Sequence, residues 1–471
     1  MKRSLNPGVS RADRFLAGTP HKRLPETGLT QKTGYHFPMT IQQTATASPR
    51  RIAVIGAGIS GMGAAHMLAR DHAVTLFESG ARLGGHARTV MAGKNGDQPV
   101  DTGFIVFNYA NYPHLAALFA ELEVPVTESN MSFGASFDGG RLEYALTSLN
   151  AMFAQRRNLV NPKFIGMLRD IVKFNKNALV LAQDKSLSLG DFLAKLGTGD
   201  YFRDHYLLPF SGAIWSTPTD KIMDFPAHAL IKFFENHALL GYSGQHQWYT
   251  VKGGSISYVT RIEAAMRRNS VDIRLNAAIQ GVRRDAGGVE VKTHGGEWER
   301  FDEVVMAAHS DDTLAMLTDA TPQERAALGA IAYQPNDIIL HADPTIMPKR
   351  RATWASWVYT EDGAAKSDRI DLTYWMNSLQ PIPQDDPHFV TLNTRRTIRQ
   401  ELIYDQVTLR HPVYDLAALD AQVQLRAMNG QNRTWFCGAW MRHGFHEDGL
   451  SSAVDVVEAL TERPARALAA E

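Results

Sequence analysis

RRIAVIGAGISGMGAAHMLARDHAVTLFES, residues 50–79, decides the fold. Ile52–Ile55 is a short apolar run that ends in glycines, which reads as a buried strand. The stretch from Ile59 is rich in Ala, Met and Leu and reads as a helix, and 72–79 reads as a second buried strand. Strand, helix and strand within about 30 residues make a βαβ unit. Gly56, Gly58 and Gly61 form G-x-G-x-x-G at its first turn. The first glycine permits the tight turn, the second lets backbone approach a pyrophosphate, and the third lets helix pack closely on strand. Ile59 and Ser60 fall in the first helical turn, where free amides and the helix dipole hold phosphate. Glu78 ends the second strand, where a carboxylate accepts hydrogen bonds from ribose hydroxyls. The unit predicts an α/β fold with a Rossmann-like parallel sheet and a dinucleotide site.

Downstream of Glu78 and Ser79, the run Arg82-x-Gly84-Gly85-His86 supplies a second glycine pair and a cation able to face phosphate. VDTGFIVFN then brings Thr102, Gly103 and Phe104. Together with GAGISGMGAAHML, these strings resemble the opening of the flavin amine oxidase superfamily, which includes amine oxidases, protoporphyrinogen oxidase and phytoene-type desaturases. The resemblance implies bound FAD. It continues through Gly253-Gly254, through a strand whose backbone meets adenine near Val282, and into WFCGAWMRHGFHEDGLSSAVDVVEAL. In that last motif Gly438 and the turn Glu447-Asp448-Gly449 are expected to face the ribityl chain, with the next helix aimed at the flavin ring. Two positions depart from the pattern. His86 stands where many members have Arg, so that either Arg88 substitutes or the contact is absent, and Ala439-Trp440 follow Gly438 where relatives often carry an acid.

DTGFIVFN, LPFSGAIWS, LTYWMNSLQ, HPVY and FCGAW…GFHEDG are similar to bacterial FAD-binding oxidoreductases that accompany cyclopropane-fatty-acid-synthase-like methyltransferases, including the furan fatty acid desaturase branch. That resemblance implies dehydrogenation of a methyl-branched fatty acyl chain of a phospholipid by hydride transfer to flavin N5. It also implies a functional link to such a methyltransferase. Phe210, Trp215, Phe225, Phe233, Phe234, Trp248, Trp354, Trp357, Tyr374 and Trp375 are available for an apolar cavity. An amine oxidase, a carotenoid-type desaturase and an FAD-bound partner without turnover are the alternatives. No catalytic residue is assigned. His443 and His446 lie near the expected flavin site, and His446-Glu447-Asp448 reads as a structural turn.

The chain has 471 residues with formal net charge +0. That balance lacks the basic excess of a nucleic-acid-binding protein. Cys437 is the one cysteine, so an intramolecular disulfide and a thiolate metal cluster are excluded. It lies in an apolar strand and reads as a buried small hydrophobe, so FAD is expected to be held non-covalently and no metal is expected. No apolar run reaches the length of a membrane span, and a cytoplasmic location is expected. Residues 1–49 read as a disordered leader. The expected FAD-binding domain comprises 50–140, 249–324 and 421–471, interleaved with an α+β substrate domain of 141–248 and 325–420. A basic amphipathic helix over 163–182 suits either contact with an anionic membrane face or packing within the protein.

Overall fold

The computed structural model describes residues 48–215, 221–241, 246–362 and 370–461. The expected leader lies outside the described residues up to residue 47, as does the side chain of Trp215. Five strands, β1 (Arg51–Ile55), β2 (Ala73–Phe77), β3 (Asp272–Arg274), β4 (Glu303–Met306) and β5 (Thr434–Phe436), form one sheet in the order β3-β2-β1-β4-β5. Every pairing in it is parallel. The α/β fold read from residues 50–79 is therefore present. The strand order reverses between β1 and β4, which opens a ligand crevice at the strands' carboxyl ends.

Both faces of this sheet are covered. Ile52 and Val54 point into a cluster with Met62, Ala65 and Leu68 of helix α1 (Ile59–Leu68), and with Leu450, Ala453 and Val456 of a C-terminal helix, His446–Thr461. Ala53 and Ile55 point the other way, onto Val282, Val289 and Val291 of a three-stranded antiparallel sheet. Burial on both sides is why β1 reads as a continuous apolar run rather than an alternating one.

A seven-stranded mixed sheet forms the second framework. Its order is Ile403–Val413, Ala332–His341, Phe389–Leu392, Asp371–Trp375, Trp357–Glu361, Phe133–Phe137 and Leu142–Ala145. Phe133–Phe137 joins it from before the expected boundary at residue 140, pairing in parallel with Trp357–Glu361. Asp101, in a separate two-stranded ribbon, bonds Gln380, which follows strand Asp371–Trp375 and the short helix Met376–Leu379. Its amide donates to Gln380 Oε1 (2.9 Å) and its carboxylate accepts from Gln380 Nε2 (3.0 Å).

The basic helix is present as Pro162–Leu181. The Asn161 side chain caps the amides of Lys163 and Phe164, and Pro162 occupies its first turn. Phe164, Met167, Ile171, Phe174 and Ala178 are buried in the apolar cluster of the seven-stranded sheet. Its apolar stripe is thus an internal one. Val172, Leu179 and Val180 stay exposed. Among the described residues no helix is long and apolar enough to cross a membrane.

Phe174 is fully buried and its ring lies 5.7–6.1 Å from those of Phe192, Phe202 and Phe234. Phe174→Ala is expected to destabilise by about 3–5 kcal/mol, and Val172→Ala on the outer face of the same helix by no more than about 0.5 kcal/mol. Urea unfolding checks both. Equal losses would contradict this assignment of the helix faces.

Candidate functional site

The glycine turn has the geometry its spacing requires. Gly56 adopts φ +100°, and a Cβ there would lie 2.9 Å from the Ala307 carbonyl oxygen. A Cβ on Gly61 would lie 1.8 Å from the Gly56 carbonyl oxygen, so only glycine lets α1 start against β1. Gly58 is different: a Cβ there meets nothing within 4 Å. The backbone at Gly58 therefore faces open space. Helix α1 has no side-chain cap and no acid in its first turn, which leaves the amides around Ile59, Ser60 and Gly61 for an anion.

The second glycine pair sits against the first. Gly84 donates its amide to the Ala57 carbonyl (2.8 Å), and a Cβ on Gly85 would lie 3.0 Å from Gly58 Cα. The Glu78 carboxylate accepts from the amides of Ala57 and Gly80, both at 2.8 Å, and Ser79 donates its hydroxyl to the same group (3.3 Å). Arg82 donates to the carbonyls of Leu83, Gly85 and Ala87 at 2.7–3.1 Å. The arginine expected to face phosphate thus braces its own loop. Arg88 forms a two-pronged pair with Asp405 and donates to Thr102 Oγ1, so it does not take the place of the arginine missing at 86. Residues 102–104 lie along 86–88: Thr102 and Phe104 donate amides to the carbonyls of Arg88 and His86, and a Cβ on Gly103 would lie 1.9 Å from the His86 oxygen.

The C-terminal motif arrives at the same place. Residues 446–449 open the helix His446–Thr461, so the expected turn is its first turn. A Cβ on Gly449 would lie 2.8 Å from Ser60 Oγ and 2.9 Å from the Ile59 side chain. The first turns of two helices therefore meet, and both dipoles favour negative charge there. Gly438 donates its amide to Ser452 Oγ (2.9 Å). Cys437 is fully buried, and burial pushes its thiol up to about 12.

Three of the expected cofactor contacts have partners within the protein itself. Glu447 accepts from the amides of His114 (3.0 Å) and Leu115 (2.9 Å), at the start of helix Pro113–Glu121. Asp448 accepts from the amides of His443 and Phe445. Both carboxylates serve the protein's own backbone, because acids at a helix start complement amides that lack intrahelical partners. Val282 is buried, and its carbonyl accepts from the Thr318 amide (2.9 Å) and hydroxyl (3.0 Å). The part of this segment that reaches Glu78 is Asn276-Ala277, whose amides donate to Gly80 and Glu78.

A cluster not assembled by sequence reasoning borders the crevice. The His86 ring lies 5.7 Å from His309 and 5.4 Å from His411. His309 follows β4 and stacks on Tyr333 at 4.4 Å. His86 Nε2 donates to the Arg410 carbonyl (3.1 Å), which leaves Nδ1 as an acceptor. Asn336 receives the Asn393 amide on its oxygen, so its own amide donates to His411 Nδ1 (2.8 Å), which places the His411 proton on Nε2. Burial is the largest cause lowering all three, with His309 and His411 pushed down to about 3. The rings are neutral at physiological pH. His446, also lowered to about 3 by burial, stacks on Phe104 at 3.9 Å and bonds the Tyr258 hydroxyl (2.6 Å). His309, Asp311 and Asp312 are close enough to hold a cation, but Arg410 pairs with both carboxylates.

Open space beside Gly58, an uncapped helix start and two converging first turns fit a dinucleotide. The sequence pattern of the flavin containing amine oxidoreductases matches residues 59–460. The chain belongs to that family. The L-amino-acid oxidase of Crotalus adamanteus is 37% identical over 78 residues, 16% of this chain and 15% of that protein. That of Sistrurus catenatus edwardsii is 49% identical over 47 residues, 10% of this chain and 9% of that protein. The chain thus aligns with under a fifth of these relatives' length. Among solved structures, a CLA-producing fatty acid isomerase from P. acnes superposes with TM-score 0.64 at 16% identity, over 88% of this chain and 99% of that one. Cyclohexylamine oxidase from Brevibacterium oxydans gives 0.61 at 16% identity over the same shares. These likenesses show the fold.

Gly61→Ala forces α1 away from β1, and the purified variant is expected to bind FAD at least about tenfold more weakly. Flavin absorbance per protein checks this, and full yellow colour would refute it. Burial raises the Glu447 carboxyl from its ordinary value to about 7. The folded state then binds the extra proton between about 4.5 and 7, so stability falls as pH rises through that window. Across it the native protein is expected to lose up to about 3 kcal/mol more than Glu447→Gln. Denaturant melts at several pH values check the difference, and parallel curves would contradict it.

Proposed function

We propose that the chain dehydrogenates a long apolar acyl chain, namely a methyl-branched fatty acyl group carried by a phospholipid. One observation carries the reading: a large apolar cluster begins beside the crevice histidines. Strand Ile403–Val413 places Val407, Leu409 and His411 on one face, by its period of two. His411 stands against His86, whereas Val407 and Leu409 pack on the large apolar cluster of the seven-stranded sheet. That cluster also gathers Phe210, Phe225, Phe233, Phe234, Trp357 and Tyr374. An acyl chain carries no charge near its reacting carbons and suits such surroundings. Trp354 and Trp375 pack together in a separate, smaller cluster, and Trp248 belongs to the cluster around α1.

The strings shared with bacterial oxidoreductases of lipid metabolism support the acyl reading. So does the fold likeness to a protein described as a fatty acid isomerase.

FAD, when bound, supplies a hydride acceptor. The residues of this chain do the rest. The first turn at Ile59, free of acids and of a side-chain cap, favours the negative charge of the cofactor. Asn336 and the Arg410 carbonyl fix which nitrogens of His411 and His86 carry protons. Their neutrality keeps cationic charge off an apolar substrate. The buried Cys437 thiol favours non-covalent flavin. The same reading proposes a cytoplasmic enzyme linked in function to a cyclopropane-fatty-acid-synthase-like methyltransferase, which would supply the branched chain.

The test is anaerobic. Phospholipids with and without methyl-branched chains are added to the yellow protein while the flavin band is followed. The proposal expects bleaching with the branched lipid alone and a product two mass units lighter (roughly two hydrogens, the redox step residing in the flavin). Bleaching by amines and by no lipid would replace it with an amine oxidase.

A further inference from the structure

The surface at residues 141–181 combines two properties. The first is exposed aliphatic side chains. Leu149 is 75% exposed, Val160 84% and Val180 73%, and Leu159 and Val172 are also exposed. The second is charge of one sign. The stretch holds seven basic residues and two acids. Of the acids, Glu143 is fully buried against Arg350, and Asp170 accepts the Gly199 amide. Arg156, Lys163, Arg169 and Lys176 are exposed.

This surface is built rather than loose. Ser148 caps the short helix Leu149–Met152. Arg156 donates to Asn150 Oδ1 (2.7 Å) and to the Phe153 carbonyl (3.1 Å), holding the rim around Leu149 and Val160 together. The Phe153 ring packs on Phe164 (5.8 Å), which anchors the rim to the helix Pro162–Leu181. Along that helix Val172, Lys176, Leu179 and Val180 fall on the outward face by helical spacing, opposite the buried stripe. Exposed aliphatics set among cations match the two attractions of an anionic bilayer, insertion into the acyl boundary and attraction to the headgroups.

We propose that this surface, the rim 149–163 with the outer face of Pro162–Leu181, seats the protein on an anionic lipid bilayer. The inference deepens the acyl-lipid reading and rests on it, since a phospholipid-borne chain has to be drawn from a membrane.

The test uses the full chain loaded with FAD and vesicles of phosphatidylcholine with or without phosphatidylglycerol. Flotation is measured at low and high salt for the native protein, Leu149→Asp/Val160→Asp, Lys163→Glu/Lys176→Glu, and the remote control Arg283→Glu. Flavin content confirms that each variant is folded. The expected result is binding to phosphatidylglycerol vesicles that salt weakens, that each double variant reduces at least fivefold and that the control leaves intact. No binding, equal binding to neutral vesicles, or undiminished binding by the double variants would overturn the proposal. Flavin reduction by detergent-dispersed branched lipid, followed in parallel, reports on the acyl reading alone.

Discussion

The site depends on how closely two helices can start beside one strand end. Gly61 lets α1 begin within van der Waals reach of the Gly56 carbonyl, and Gly449 lets the C-terminal helix bring its first turn onto Ile59 and Ser60. A side chain at position 61 would drive the two backbones apart, and one at position 449 would press on the Ser60 and Ile59 side chains. With both in place, residues almost four hundred positions apart present uncapped or backward-capped amides to one crevice. The parallel sheet sets the position of that crevice, because its strand order reverses between β1 and β4.

The loop 82–88 then joins the cofactor crevice to the seven-stranded sheet. Arg82 holds it by three of its own carbonyls, His86 donates to the Arg410 carbonyl, and Arg88 pairs with Asp405. The last two contacts reach one strand, Ile403–Val413, so the loop lies along the strand that also carries His411, Leu409 and Val407. A histidine at position 86 suits this setting. Asp405 is neutralised by Arg88, and a cation at 86 would stand beside Arg82 and Arg410 with no acid assigned to it.

Local pattern made much of this legible. The run β1-α1-β2 announces itself because its glycines, its apolar period and Glu78 are neighbours in sequence. The histidine cluster could not be read that way. Residues 86, 309 and 411 meet only after three distant strand ends converge, and none carries a local spacing signal. Glu447 was visible as an acid at a helix start, yet which amides it caps depends on where helix Pro113–Glu121 packs, whereas Asp448 caps the neighbouring amides of His443 and Phe445. Val282 was named from resemblance, which fixes a strand more surely than its register, and a small shift along a strand changes which backbone groups are free. The basic helix was ambiguous for a related reason. Which of its apolar residues form the buried stripe, Met167 and Phe174 among them, is fixed only by packing.

The central claim is that the cofactor's pyrophosphate lies on the first turn of α1, between the two glycine loops. The most direct measurement is a crystal structure of the protein grown with FAD, read at the pyrophosphate density. The account predicts phosphate oxygens within hydrogen-bonding distance of the amides that begin α1, with Gly58 and Gly85 facing them. Pyrophosphate density over any other element, with α1 left facing solvent, would contradict it.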